Sequence, residues 1–300
     1  MPKSSDCLAA GFKFLSIFIV STVFSLAAIA EIVTTPFKGL ALSARLDKGP
    51  DWPSGPTVLI THGTLSHNRS EFVSTLQELF SASDVSSLAI NLSLAQDLRT
   101  GPHDCGVPQR HKHGNGSLEI STWVNWLTTA GVSNIVVLGH SRGGNQTARA
   151  VVEHPDPAVK GVILIAPAFT GAASKHKAAF AKPLSEARRL VAAGKPEALL
   201  EPTDFLYCKG ASVEAASFLS YYDKEPEYAT AALLRKVTLP VLVFAGTEDT
   251  VVPAQQLERS LASLDDNITL TIIDGAGHFF RDLNADELVE LSIEFLQVAN

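Results

Sequence analysis

Short apolar runs, rich in β-branched residues, alternate with amphipathic stretches along most of the chain. Each run is apolar almost throughout, which is typical of strands buried on both faces of a parallel sheet. Six such runs are predicted as strands: Thr57–His62, Val85–Leu92, Asn134–His140, Gly161–Pro167, Leu239–Gly246 and Asn267–Ile273. Helical periodicity fills Asn68–Ser81, Ser117–Ala130, Arg142–His154, Pro253–Leu264 and Ala285–Val298. The alternation predicts an α/β fold with a mostly parallel central sheet flanked by helices.

Two segments depart from this alternation. Residues Glu31 to Lys48 are predicted to form an antiparallel hairpin at the edge of the sheet. From about Thr170 to Lys236 there is no strand-like run but much Ala, Leu, Lys and Glu, which predicts an all-helical insertion. We therefore expect a core made of residues 31–169 and 237–300, with a helical cap or lid at 170–236.

The charge balance excludes one class of partner. The chain of 300 residues has a formal net charge of −7 and is 46% hydrophobic, which is enough to bury a sizeable core. Its calculated pI is about 5.7, so there is no basic field that would neutralise a phosphate backbone. Nucleic acid is not an expected partner, and nothing in the sequence indicates an oligomeric state.

The N-terminus has the pattern of a secretory signal peptide at residues 1–30. Lys3 and Lys13 precede an uncharged apolar stretch at 14–30, which ends in Ala28-Ile29-Ala30 before Glu31. The A-x-A ending favours cleavage and an exported protein, either periplasmic or secreted. The alternative is an uncleaved membrane anchor at residues 14–30, since this stretch is only just short of a spanning helix.

Export would decide whether the cysteines can form a disulfide. Cys7 would leave with the signal peptide, and Cys105 and Cys208 would remain in an oxidising compartment. We predict a disulfide between them, and the alternative is two independent buried thiols.

The pentapeptide Gly139-His140-Ser141-Arg142-Gly143 lies between a predicted strand and a predicted helix. It matches the G-x-S-x-G pattern of a nucleophile elbow, in which a tight, strained turn lifts the serine hydroxyl above the sheet. Side chains at the flanking glycine positions would collide with neighbouring backbone. The motif and its placement predict Ser141 as a nucleophile.

A serine hydroxyl becomes an effective nucleophile when an imidazole accepts its proton and a carboxylate orients that imidazole. Asp249 and His278 each follow a later predicted strand, and the order Ser141, Asp249, His278 is the one expected of such a hydrolase site. Among the neighbouring acids, Glu248 is interpreted as a solvated loop residue and Asp274 as a turn residue.

The reaction also needs donors for the negative charge that develops on the attacked carbonyl oxygen. The backbone N–H of Arg142, at the start of a helix, is predicted as one donor. The N–H of Thr64, in the His62-Gly63-Thr64-Leu65 loop after the first core strand, is predicted as the other. His62 itself is interpreted as a structural histidine that holds this loop.

From the His62-Gly63 loop through Ser141, Asp249 and His278, the chain resembles the α/β-hydrolase superfamily of serine hydrolases. The resemblance implies the α/β-hydrolase fold with an inserted helical cap and a small-molecule acyl substrate, most often a carboxylic ester. The triad mechanism needs no metal or organic cofactor. An amidase or peptidase of the same fold remains an alternative, as does a catalytically silent protein that binds a ligand or a protein partner.

Two further groups of residues have competing interpretations. The loop from Arg99 to Gly116 is rich in histidine, but it lacks a fixed metal-ligand spacing. We expect this loop to shape the mouth of the pocket, tied to the cap through Cys105 and Cys208, and we predict no metal site. Aromatic residues of the cap either line an acyl pocket or form the core of the cap, and the second interpretation is favoured for most of them: Phe205, Tyr207, Phe218, Tyr221, Tyr222 and Tyr228.

Overall fold

The computed structural model describes residues 1, 30–168, 178–223, 226–264 and 266–299. The strands in this part of the chain are β1 (Glu31–Phe37), β2 (Leu40–Asp47), β3 (Thr57–Thr61), β4 (Ser86–Asn91), β5 (Ile135–His140), β6 (Val159–Ile165), β7 (Thr203–Phe205), β8 (Cys208–Ala211), β9 (Val241–Gly246) and β10 (Ile268–Ile273). The α-helices are α1 (Glu71–Ala82), α2 (Asn115–Thr129), α3 (Arg142–Glu153), α4 (Ala181–Ala192), α5 (Ala215–Tyr222), α6 (Thr230–Leu234), α7 (Ala254–Leu261) and α8 (Leu283–Val298).

The central sheet has eight strands in the order β1-β2-β4-β3-β5-β6-β9-β10. Strands β4, β3, β5, β6, β9 and β10 pair in parallel, and β1, β2 and β4 pair antiparallel. Every residue of β3, β4, β5 and β9 is buried, as expected for strands covered on both faces. This is the α/β-hydrolase fold, and the six core strands, the edge hairpin and the predicted core helices are confirmed.

Helices cover both faces of the sheet. Trp123 and Leu127 of α2, together with Leu257 of α7, pack into one buried apolar cluster. Phe80 of α1 and Leu288 of α8 pack into the other. Because parallel strands end at the same edge of the sheet, the loops after β3, β5, β9 and β10 converge there.

A third apolar cluster contains residues from α4, α5 and the strands β7 and β8. The prediction of an all-helical insertion is wrong, because β7 and β8 form an antiparallel hairpin. The hairpin is too short for its periodicity to be visible in the sequence, and it turns at Leu206, which has a φ of 56°. Residues 170–177 and 224–225 of the predicted cap lie outside the described residues.

The predicted disulfide is confirmed, since Cys105 is bonded to Cys208 of β8. It joins the loop after β4 to the third cluster, and Gln109 pairs with Val213 beside it. Residues 2–29 of the predicted signal segment lie outside the described residues. In the part of the chain that is described, no helix combines the length and apolar character needed to span a bilayer.

Candidate active site

Ser141 occupies a sharp turn between the end of β5 and the start of α3. Its backbone has φ 54° and ψ −120°, a left-handed conformation that is unfavourable for a residue with a side chain. The turn is held by the Ser141 N–H, which donates to the carbonyl oxygen of Ile165 at 2.9 Å, and by the Ser141 carbonyl, which accepts from Ala168 at 2.9 Å. Hydrogen bonds to the neighbouring strand β6 and to the loop after it thus hold Ser141 in this strained backbone conformation.

The glycines of the pentapeptide are required by close packing. A Cβ at Gly143 would lie 2.3 Å from the carbonyl oxygen of His62, and a Cβ at Gly139 would lie 2.5 Å from Oγ1 of Thr147. Only glycine, which has no side chain, allows the backbone segments to approach each other this closely. This packing brings the loop after β3 against the start of α3.

His278, in the loop after β10, lies between Ser141 and Asp249. Its Nε2 is 3.1 Å from Oγ of Ser141, and its Nδ1 is 2.7 Å from Oδ2 of Asp249. The three side chains form one chain of hydrogen bonds, although their positions in the sequence are far apart. Glu248 and Asp274 are exposed, and Asp274 accepts a hydrogen bond from Oγ1 of Thr247 at 3.1 Å.

The Asp249 carboxylate is buried and fully engaged. Its Oδ1 accepts hydrogen bonds from the backbone N–H groups of Val251 and Val252 at 2.7 and 2.8 Å. Burial alone would raise the pKa of Asp249, but the hydrogen bonds from His278, Val252 and Val251 together hold it below its usual value. Asp249 is therefore ionised at neutral pH, with one oxygen available to the imidazole.

His140, the residue before Ser141, supports the backbone of His278. Its Nε2–H donates to the carbonyl oxygen of His278 at 2.9 Å, and the two rings lie 4.8 Å apart. Burial lowers the pKa of His140 to about 3, so this imidazole is neutral. Strand β5, which ends at His140 directly before Ser141, thus also positions the loop that carries His278.

Thr64 and Arg142 lie beside the serine. Oγ1 of Thr64 accepts a hydrogen bond from Nε of Arg142 at 3.1 Å. Neither backbone N–H donates to another described residue, and that of Arg142 is the first of the unpaired amides at the start of α3. Two backbone donors next to Ser141 are thus available to a ligand.

His62 holds the loop that contains Thr64, as predicted. Its Nδ1–H donates to the carbonyl oxygen of Gly63 at 2.8 Å, and its Nε2 accepts from the N–H of Leu92 at 3.1 Å and from Nη2 of Arg99 at 2.9 Å. Burial, followed by the charge of Arg99, lowers the pKa of His62 well below its usual value. His62 is therefore a neutral structural residue.

The histidines of the Arg99–Gly116 loop bond to protein side chains. His103 and His111 both donate from Nε2 to Oε1 of Gln109, at 2.7 and 3.1 Å. Nδ1 of His111 accepts from the hydroxyl of Tyr221 at 2.8 Å. Among the described residues, no group of three or more His, Cys, Asp or Glu side chains is arranged to hold a metal ion.

The cap aromatics fall mainly in the core of the third cluster. Phe205, Phe218, Tyr221 and Tyr222 are buried there, whereas Tyr207 is 66% exposed. The core interpretation is thus confirmed for these four. Tyr221 also faces the site, since its ring centre lies 5.4 Å from Cζ of Arg142.

Sequence reasoning missed Arg99 and the side chain of Arg142. Arg99 reaches His62 across 37 positions of sequence, and no local pattern indicates that contact. The side chain of Arg142 could have been found, because the residue after the serine in G-x-S-x-G always begins the helix beside the nucleophile.

Comparisons with known proteins agree on the fold. The model of the alpha/beta hydrolase family matches residues 57–291. Similar solved structures include Est1E from Butyrivibrio proteoclasticus with ferulic acid bound, which is 21% identical, has a TM-score of 0.65, and aligns over 89% of this chain and 98% of its own. A monoacylglycerol lipase from Paleococcus ferrophilus is 19% identical, has a TM-score of 0.61, and aligns over 86% of this chain and 99% of its own.

A third similar structure is mouse alpha/beta hydrolase domain-containing protein 10. It is 14% identical, has a TM-score of 0.64, and aligns over 90% of this chain and 100% of its own. No curated protein sequence matches the chain.

Proposed function

Because the chain belongs to the alpha/beta hydrolase family, we propose that it is an exported serine hydrolase that cleaves a carboxylic ester through an acyl-enzyme. The observation that carries the proposal is the hydrogen-bond chain from Ser141 to His278 and Asp249, with distances of 3.1 and 2.7 Å. A serine, an imidazole and a buried carboxylate in this order form the arrangement that activates a hydroxyl for attack on a carbonyl.

In the first half of the reaction, Ser141 attacks the ester carbonyl. Nε2 of His278 accepts the proton of the Ser141 hydroxyl while Oγ bonds to the carbonyl carbon. Asp249 accepts from Nδ1, which fixes the tautomer and stabilises the imidazolium that forms. The backbone N–H groups of Thr64 and Arg142 donate to the oxygen that becomes negative.

The tetrahedral intermediate then collapses to the acyl-enzyme. The bond to the leaving oxygen breaks, and His278 transfers its proton to that oxygen, so that an alcohol departs. A water molecule repeats the sequence: His278 accepts its proton, the hydroxide adds to the acyl carbon, and Oγ of Ser141 leaves with the proton returned by His278. The products are an alcohol and a carboxylic acid.

Two similar structures support an ester as the bond that is cleaved. Est1E was solved with ferulic acid, a carboxylic acid, and the other protein is named as a monoacylglycerol lipase. Paired kinetic assays on an ester and an anilide of the same acyl group separate this proposal from an amidase or peptidase. A faster reaction with the anilide would contradict ester cleavage.

Export is part of the proposal. It is supported by the charge and apolar pattern of residues 1–30 and by the disulfide between Cys105 and Cys208. Disulfides persist in oxidising compartments and are rare in reducing ones. N-terminal sequencing of protein recovered from the exporting cell tests cleavage after Ala30.

The test of the enzymatic proposal is covalent labelling with a fluorophosphonate. We expect an adduct on Ser141, identified by mass spectrometry of the peptides, that is absent from Ser141→Ala and strongly reduced in His278→Ala. Loss of either group in comparable triads costs about 10⁶ in kcat. A folded protein that is not labelled would contradict the proposal and favour a silent binding protein.

A further inference from the structure

The guanidinium of Arg142 is a buried positive charge inside the candidate site. The residue directly follows Ser141 and is 9% exposed. Its Nε donates to Oγ1 of Thr64 at 3.1 Å, and its Cζ lies 5.4 Å from the centre of the Tyr221 ring. The charged head therefore lies between Thr64, in the loop after β3, and Tyr221, in helix α5 of the cap.

This charge has no counter-ion in the described part of the protein. The ion pairs found there involve other cations, and none includes Arg142. Of the residues that lie outside the described ones, 169–177 contain no Asp or Glu, and the acidic residues are Asp6, Glu225 and Asp265. A guanidinium has five N–H donors, and the hydrogen bond to Thr64 uses one of them.

The polar groups around Arg142 are neutral. Burial raises the pKa of Tyr221, and its hydroxyl is already engaged with Nδ1 of His111 at 2.8 Å. Burial also raises the pKa of Tyr222, whose hydroxyl accepts from the N–H of Leu206 at 2.7 Å. His111 is uncharged as well, because burial lowers its pKa to about 3. None of these groups compensates the positive charge.

A second arginine of the same helix, Arg149, has a carboxylate that neutralises its positive charge. Arg149 lies on α3 two turns further on, and its Nε is 2.8 Å from Oε1 of Glu153. Its Cζ lies 3.9 Å from the centre of the Tyr228 ring. Both arginines contact an aromatic ring, but the one with the more buried side chain lacks the carboxylate. Burying a charge without a partner is costly, and the cost is recovered when a ligand supplies the opposite charge.

We infer that Arg142 binds a carboxylate carried by the substrate, so that the preferred esters are anionic ones. This inference rests on the proposed function, because it assigns the substrate class of the same site. A planar guanidinium pairs with a carboxylate through two parallel hydrogen bonds, and one guanidinium matches the single charge of that group. Since the guanidinium donates to Oγ1 of Thr64, whose backbone N–H is a proposed donor to the ester carbonyl oxygen, we expect a short linker between the carboxylate and that carbonyl.

The test compares two p-nitrophenyl esters of similar length, the glutarate monoester and the hexanoate. For the unmodified protein we expect a kcat/KM for the glutarate that is about tenfold or more above that for the hexanoate, which is the effect of one charged hydrogen-bonding partner. In Arg142→Met this ratio falls to one or below, while Arg142→Lys retains part of it. Because every variant keeps the backbone N–H at position 142, hexanoate hydrolysis within each variant is the reference.

Arg149→Met is the matched control. It removes an arginine from the same helix and the same formal charge from the protein, and it keeps the preference for the glutarate ester. A preference that survives in Arg142→Met, or one that Arg149→Met removes equally, overturns the inference. So does an unmodified protein that prefers the hexanoate.

A second readout does not depend on turnover. Glutarate slows fluorophosphonate labelling of Ser141, whereas glutaramide, its neutral analogue, does not at the same concentration, and Arg142→Met abolishes the difference. Equal behaviour of the two compounds in the unmodified protein contradicts anion binding while leaving the serine hydrolase intact. Absence of labelling in folded protein contradicts the proposed function itself, and the inference with it.

Discussion

The imidazole of His62 donates from Nδ1 to the carbonyl oxygen of Gly63 at 2.8 Å. That carbonyl belongs to the same peptide unit as the N–H of Thr64. Because a trans peptide is planar, fixing the direction of its oxygen also fixes the direction of its N–H. Arg99 and Leu92 hold the other ring nitrogen of His62 at 2.9 and 3.1 Å, so the ring cannot turn. The buried side chain of His62 thus fixes the direction of the backbone N–H of Thr64.

Replacing His62 with Leu is expected to lower kcat about 10- to 100-fold and to change KM little. The substitution frees the peptide that carries the Thr64 N–H, and loss of one oxyanion donor costs about 10²–10³ in kcat. His67→Ala is the control, because His67 lies in the same loop but its Nδ1 accepts only from the N–H of Arg69 among the described residues. An unchanged kcat in His62→Leu would show that the peptide needs no such support.

Asp249→Asn is expected to lower kcat about 10⁴-fold with little change in melting temperature. The neutral amide still fills the pocket, but it no longer fixes the productive tautomer of His278 or stabilises its charged form. Asp274→Asn is the control, because Asp274 is exposed and bonds to Thr247. Steady-state kinetics on one ester measures both variants. Equal losses in the two would mean that Asp249 has no special relation to His278.

Reduction of the bond between Cys105 and Cys208 is expected to lower the free energy of unfolding. The bond closes a loop with a sequence separation of 103 residues. For a loop of that length the entropy lost by the unfolded chain corresponds to about 4.7 kcal/mol, and measured values for disulfides are about 2–4 kcal/mol. Urea unfolding with and without dithiothreitol measures the difference. A Cys105→Ala/Cys208→Ala double variant should be insensitive to dithiothreitol, and an equal response in that variant would assign the effect elsewhere.

The buried Glu119 is expected to make stability decrease as pH rises. Its oxygens accept from the N–H and the hydroxyl of Ser93, both at 2.6 Å. Burial raises the pKa of Glu119 from 4.5 to about 7, against the opposing effects of Ser93 and Arg99. Between these two values the folded protein holds a proton that the unfolded chain has released. The contribution of Glu119 is therefore complete below pH 4.5 and lost as pH rises through about 7.

Glu119→Gln provides the comparison for this pH effect, since its side chain does not titrate. The stability of the unmodified protein relative to this variant should fall by on the order of 3 kcal/mol across the window, as measured by urea unfolding from pH 4 to pH 8. A difference that stays constant with pH would mean that Glu119 titrates normally.

The core strands could be predicted because burial on both faces leaves a nearly continuous apolar run, and β3, β5 and β9 carry such runs. The positions of Ser141, Asp249 and His278 follow from the same reasoning, since each comes directly after a strand whose end could be located. The structure places His278 within hydrogen-bond distance of both Ser141 and Asp249.

The hairpin of β7 and β8 could not be predicted, because its strands contain three and four residues and their pairing depends on packing in the third cluster. The contact of Arg99 with His62 could not be predicted either, since it joins two loops that are brought together only by the strand order of the sheet. Local patterns thus located the ends of strands, whereas long-range contacts between loops required the folded backbone.

The residues of the candidate site are made at different times during synthesis of the chain. Ser141 follows β5 near the middle of the sequence, whereas its hydrogen-bond partner His278 follows β10, at the edge of the sheet and close to the C-terminus. A chain that ends after β6 contains Ser141, Thr64 and Arg142 but lacks His278. Under the proposed mechanism the Ser141 hydroxyl has no base until His278 has been added, so we expect a chain that ends before β10 to have no hydrolytic activity.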